Sequence, residues 1–189
     1  MKRIILMLSI SVFSLLAMGQ EEGAKRTLPL PSVNVKTLKG ETFNTKDIDN
    51  KGKPIIICFF ATWCKPCMTE LKAIADEYED WQEETGVVIY AVSIDDTRSS
   101  AKVAPLVKAQ NWEYEFLMDE NADFKRAMNV GDIPHTFVLN GNKEIVWQHA
   151  SYSPGAEQEY IKVVRKLLAE KEWLMKILNK WKESVILKR

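Results

Sequence analysis

FFATWCKPCMTEL, residues 59–71, sets two cysteines, Cys64 and Cys67, two residues apart directly after an apolar run. The pair has three readings: a redox centre, half of a metal site, or an ordinary structural disulfide. The run Ile55–Phe60 is continuous, apolar and β-rich, as expected of a strand buried on both faces. Behind the cysteines, Leu71, Ile74, Ala75, Tyr78 and Trp81 recur at helical spacing as far as Gly86, a stop signal. A buried strand thus delivers Cys64 to the start of a helix, where free backbone N–H groups and the positive dipole end favour a thiolate. Pro66 falls in the first turn, where its missing N–H costs nothing. Two intervening residues let the sulfurs approach bonding distance. Cys64 can then attack a disulfide, and Cys67 can displace it from the mixed disulfide.

Outward from this motif, Val33–Leu38 alternates apolar and polar residues, Lys39-Gly40 turns and Glu41–Phe43 returns, an N-terminal β-hairpin. Val87–Ile94 reads as a second buried strand. Arg98–Gln110 reads as a helix with Pro105 at a kink or boundary, and Ala122–Met128 as a short helix. Thr136–Leu139 is a strand, Asn140-Gly141-Asn142 a hairpin turn and Glu144–Trp147 the return strand. From Glu157 a long amphipathic helix runs towards the C-terminus. This order predicts an α/β fold, a mixed central sheet flanked by helices, parallel in its first half and antiparallel in its second.

The length of 189 residues suits one domain with appendages. Three cysteines cannot build a disulfide-held knot, and a formal charge of zero argues against a nucleic-acid partner. Lys2 and Arg3, the apolar run Ile4–Met18 and the small-x-small pattern Ala17-Met18-Gly19 read as a secretory signal peptide over residues 1–19. The run is shorter than the roughly 20 residues a spanning helix needs; an uncleaved anchor is the alternative. Either way the domain is expected outside the cytoplasm, in the periplasm. Removing Lys2 and Arg3 from 26 basic residues leaves 24 against 26 acidic ones, a nearly neutral mature chain. Residues 20–31, polar and then Pro-rich, read as a linker, 32–170 as the domain, and 171–189 as a basic amphipathic helical extension.

The sequence resembles the thioredoxin superfamily, and more closely its TlpA/ResA-like extracytoplasmic thiol–disulfide oxidoreductases. The resemblance is carried by Phe59-Phe-Ala-Thr-Trp-Cys-Lys-Pro-Cys67, Val92-Ser-Ile-Asp-Asp96 and Val130-Gly-Asp-Ile-Pro-His-Thr-Phe137, and it runs from about Val33 to about Leu168. It implies a thioredoxin-like fold and a reductant of protein disulfides, cytochrome c maturation being one role in the family. Cys64 is then the nucleophile and Cys67 the resolving thiol. The resemblance further implies a cis bond at Ile133–Pro134 facing the cysteines, whose backbone pairs with the substrate as an added strand. Trp63 is implied as a recognition and packing surface beside the site. No bound cofactor is needed, since electrons move by thiol–disulfide exchange. The implied partners are disulfide-containing client proteins and a membrane electron-donor thiol protein. The Cys-x-Pro-Cys turn is similar to that of reducing members; strong oxidants carry a histidine before the second cysteine, and isomerases add a dimerisation domain.

Two positions depart from cytosolic thioredoxins or extend beyond the motif. Those proteins carry a buried aspartate six residues before the first cysteine, where this chain has Cys58. Glu70, three residues after Cys67 on the same helical face, matches a glutamate of ResA-like members. It is expected to take the Cys67 proton as general base; the alternative is a surface glutamate supporting the helix start. Cys58 is expected to be a small buried hydrophobe, with a third redox sulfur as the other reading. Lys65 is expected to face solvent close to Cys64, His135 to contact substrate or neighbour the sulfurs, and His149 to lie on the surface.

The rival from another class is a Sco-like copper-handling protein, since soft thiolates and imidazole suit Cu(I). Those proteins space their cysteines three apart. A structural zinc site lacks a second ligand pair, so no metal site is assigned. A peroxiredoxin sets its reactive cysteine after Pro-x-x-x-Thr, and no such pattern precedes Cys64. A disulfide isomerase or oxidase is a further alternative. Lys171–Arg189 holds six basic and two acidic residues, with Leu174, Leu178, Trp181 and Val185 along one face. This tail is expected either to fold against the domain or to meet a membrane surface or partner.

Overall fold

The apolar run at 55–60 lies where its composition demands, in the middle of a sheet. The structure is a computed structural model and describes residues 28–186. Its strands are β1 (Leu28–Pro29), β2 (Asn34–Thr37), β3 (Thr42–Asn44), β4 (Ile55–Phe60), β5 (Val88–Ser93), β6 (Glu115–Met118), β7 (His135–Leu139) and β8 (Glu144–Ala150). They form one sheet in the order β1-β8-β7-β4-β5-β6-β2-β3. The helices are α1 (Lys65–Ala75), α2 (Tyr78–Thr85), α3 (Val103–Gln110), α4 (Asp123–Ala127) and α5 (Glu157–Ile186). The signal segment 1–19, residues 20–27 of the linker and residues 187–189 lie outside the described residues.

Strand β4 pairs in parallel with β5, from Ile55↔Val88 to Phe60↔Ser93, and antiparallel with β7, from Ile55↔Leu139 to Phe59↔His135. Its alternate residues feed two cores, as the two-residue repeat of a strand requires. Ile56, Cys58 and Phe60 pack with Leu71, Ile74, Tyr78, Trp81 and Tyr160 under α1, α2 and α5. Ile55, Ile57 and Phe59 pack with Val35, Ile48, Phe124 and Phe137 on the other face. The mixed sheet and the β2–β3 hairpin, Asn34↔Asn44 to Lys36↔Thr42, agree with the sequence reading.

Three details differ from that reading, and Pro105 takes one of its two expected roles. The helix expected to run unbroken to Gly86 is two helices. At the break the Glu77 carboxylate accepts from the Trp81 indole at 3.1 Å and from the Gln158 amide of α5 at 2.7 Å. Gly86 does end α2, in the left-handed conformation at φ 64°. Strand β6 has no counterpart in the sequence reading; its residues, EFLM, include strong helix formers, and pairing with β5 and β2 overrides them. Leu28–Pro29, inside the stretch read as linker, adds β1 to the edge of β8. Pro105 sits in the first turn of α3, where no helical N–H is lost, so it bounds the helix without kinking it.

Helix α5 covers the sheet only with its first half. Tyr160, Ile161 and Val164 are buried and Val163, Leu167 and Leu168 half-buried, whereas every side chain from Lys171 to Ser184 is exposed. Residues 171–184 of the tail therefore do not fold against the domain. At the junction, the Arg165–Glu84 ion pair closes the covered half and Lys171 Nζ donates to the Gly52 carbonyl at 2.8 Å. Among the described residues no helix is long and apolar enough to cross a membrane.

Candidate active site

Leaving β4, the chain passes through Ala61, Thr62 and Trp63 and enters α1 with Cys64 as the N-cap residue, at φ −88° and ψ 97°. Cys64 Sγ accepts from the Cys67 N–H at 3.2 Å, one of the donors that every helix start leaves free. Pro66 occupies the first turn. Cys64 and Cys67 are joined as a disulfide, their Cα atoms 5.3 Å apart. Cys64 retains 5 % exposure and Cys67 none, so only the first sulfur reaches the surface. Trp63 is 67 % exposed beside it, and Lys65 and Pro66 are exposed as well.

The turn before Cys64 is held from below by Asp95, which is fully buried just past β5. Its carboxylate accepts the Thr62 N–H at 2.8 Å, the Thr62 hydroxyl at 2.6 Å and the Ser93 hydroxyl at 2.8 Å. Removing it strands all three donors. Asp95→Ala is accordingly expected to lower the unfolding free energy of the oxidised protein by about 2–4 kcal/mol, read from urea denaturation. A loss below about 1 kcal/mol would mean that water replaces the clamp.

Across the motif, the Ile133–Pro134 peptide bond is cis. Pro134 is buried, and half-buried Ile133 packs against the core cluster that contains both cysteines. His135 opens β7 and stacks on Phe137 at 4.6 Å. Its Nε2 is 3.3 Å from Gln148 Oε1, its buried Nδ1 has no partner among the described residues, and burial lowers its pKa. His149 is exposed.

Glu70 is not on the surface. It is 1 % exposed on the face of α1 that also buries Cys67. Its Oε1 accepts the Thr136 hydroxyl at 2.8 Å and the Tyr160 hydroxyl at 2.7 Å, while Oε2 has no partner. Burial pushes its pKa up to about 7, against the two hydroxyl hydrogen bonds, which pull it down. Cys58 is buried and free of any disulfide, directly across β4–β7 from Thr136. Burial first, and then the Glu70 charge, push its thiol well above the usual range, so it stays protonated. It behaves as the small apolar filler expected, though beside a polar cluster. Among the described residues no group of three or more His, Cys, Asp and Glu side chains could hold a metal ion.

Asp95 and Thr136 lie inside stretches that the sequence reading singled out, without a role assigned to either. Tyr160 was not singled out in the sequence, because nothing local links it to Glu70, 90 residues away.

Residues 27–148 match the profile of the AhpC/TSA family. A thiol-disulfide oxidoreductase ResA of Bacillus cereus is 29% identical over 116 residues, 61% of this chain and 64% of that protein, so the chain spans somewhat less than two thirds of its length. The thioredoxin-like protein YneN of Bacillus subtilis is 31% identical over 125 residues, 64% of this chain and 69% of that one. A thioredoxin-like protein of Porphyromonas gingivalis, solved in solution and uncharacterized, is 54% identical, with a TM-score of 0.68 over 75% of this chain and 92% of that one. With the cysteine pair at the head of α1 and the profile covering β1 to β8, the chain belongs to the AhpC/TSA family and carries its thioredoxin-like fold.

Proposed function

We propose that the protein is an extracytoplasmic thiol–disulfide oxidoreductase that reduces disulfides in client proteins. The observation that carries this reading is the Cys64–Cys67 disulfide at the N-terminus of α1, with Cys64 Sγ accepting a helix N–H. In the reduced protein the Cys64 thiolate attacks one sulfur of a client disulfide. A mixed disulfide forms and the client's other sulfur leaves as a thiolate. Glu70, its pKa near 7, takes the Cys67 proton, and the Cys67 thiolate attacks Cys64 Sγ. The Cys64–Cys67 disulfide forms, the second client thiolate leaves, and two electrons have passed to the client. A membrane thiol protein then supplies two electrons to reset the pair.

Trp63 and the Ile133–Pro134 backbone are the groups beside Cys64 along which an extended client segment would lie. The basic start and apolar run at residues 2–18 support export to the periplasm, by a cleaved signal or a retained anchor. Cytochrome c maturation is one client class compatible with this chemistry.

Direction is tested by equilibrating the protein against glutathione and dithiothreitol redox buffers. A proline and no histidine between the cysteines supports a reductant, with a potential expected well below about −200 mV. A value near about −120 mV would make it an oxidant, and a pair that does not exchange with glutathione would remove the activity altogether.

A further inference from the structure

The second half of α5 takes no part in that chemistry, yet its side chains are ordered by charge and polarity. Trp173, Leu174, Ile177, Leu178 and Trp181 are between 45 and 62 % exposed. Stepping about 100° per residue, they fall within one arc of about 140°. Lys180 borders one edge of that arc and Lys182 and Lys171 border the other, while Glu172 and Glu183 lie opposite its centre. Lysines at both edges of an apolar arc reach past it with their ammonium groups while their stems lie along it. Tryptophans suit the same boundary, where one side is apolar and the other wet.

The tail also leaves the domain at a defined place. Lys171 meets the carbonyl of Gly52, three residues before β4 begins, whereas Cys64 stands four residues after β4 ends. The six residues of β4 rise about 20 Å in all, so the tail departs from the pole opposite the cysteines. Exposed Lys51 and Lys53 flank Gly52 at that pole, with Lys46 and Lys143 adjoining through the Lys143 Nζ donation to the Lys46 carbonyl. Asp47 and Asp49 are the acidic side chains interleaved with them.

From these placements we propose that α5 beyond Lys171 is an interfacial helix that lies on an anionic lipid surface. Its apolar arc enters the headgroup boundary and its edge lysines, with Lys51 and Lys53, meet the lipid phosphates. The domain is then held with Cys64 facing away from the bilayer, open to clients. This inference does not depend on the thiol chemistry, because the tail and the cysteines sit at opposite poles.

The test is sedimentation of the full chain with vesicles of equal parts phosphatidylglycerol and phosphatidylcholine, and with phosphatidylcholine alone. The wild-type protein is expected to sediment with the anionic vesicles and to be released by high salt. Leu174→Glu/Leu178→Glu is expected to lower the partition coefficient on the order of tenfold or more, and Lys180→Gln/Lys182→Gln severalfold. Insulin reduction is expected to be unchanged in both variants, which shows that they are folded. Three results overturn the proposal: no preference for the anionic lipid, equal sedimentation of the apolar-face variant, or a vesicle-independent dimer in light scattering that this variant dissolves. The last would assign the face to a second copy of the chain.

Discussion

Cys64→Ser is expected to abolish dithiothreitol-driven reduction of insulin, while Cys58→Ala keeps most of the activity. Cys64 is the sulfur with access to the surface, at the N-terminus of α1 where a thiolate is favoured. No other group described in the site can start the exchange, so its loss leaves nothing to attack. Cys58 is wholly buried and its thiol is held protonated by burial and by the Glu70 charge. Alanine there leaves only a small cavity, at about 1 kcal/mol. Cys67→Ser separates the two steps: the first attack proceeds, resolution fails, and clients stay attached as mixed disulfides on a non-reducing gel. A folded Cys58→Ala protein as inactive as Cys64→Ser would make Cys58 a third redox sulfur. A Cys67→Ser protein that captured no client would remove Cys67 from the resolving step.

What the sequence made legible follows from how local each cause is. The burial of Ile55–Phe60 and the capping position of Cys64 are consequences of short stretches, so both could be read directly. The proline after Ile133 marked the loop by its motif, and the cis bond stands there. Strand β6 was hidden because its own residues favour a helix, and only the neighbouring strands make it extended. At the break between α1 and α2, Glu77 accepts from Gln158 of α5, 81 residues further along, a partner that no local reading supplies. The amphipathic pattern of the tail was plain, but whether the domain covers it depends on where α5 leaves the sheet. Glu70 is the sharpest instance. Its place beside Cys67 was a matter of helical spacing, while its burial and its two hydroxyl partners come from β7 and α5.

That environment gives Glu70→Gln opposite effects on stability and activity. The Glu70 carboxyl titrates near 7 in the folded protein, against an ordinary value of 4.5. The folded state therefore binds the proton more tightly than the unfolded state does. Below pH 4.5 both states are protonated and the residue costs nothing. As pH rises from 4.5 to about 7 the unfolded state ionises first, and stability falls by about 3 kcal/mol before levelling off. Glutamine keeps an oxygen to accept from Thr136 and Tyr160 and carries no charge. The oxidised Glu70→Gln protein is thus expected to match wild type near pH 4 and to exceed it by about 2–3 kcal/mol at pH 8, by urea denaturation. Its reductase activity moves the other way. In the proposed mechanism Glu70 takes the Cys67 proton, and without that base the rate at pH 7 is expected to fall on the order of a hundredfold, the usual worth of a positioned base. The wild-type rise in rate as Glu70 ionises near pH 7 should vanish with it. Parallel stability curves across this pH range would mean that the Glu70 carboxyl ionises in the fold at its ordinary pH, its pKa not raised by burial. Diverging curves with an unchanged rate would keep the buried charge and take away its role as base.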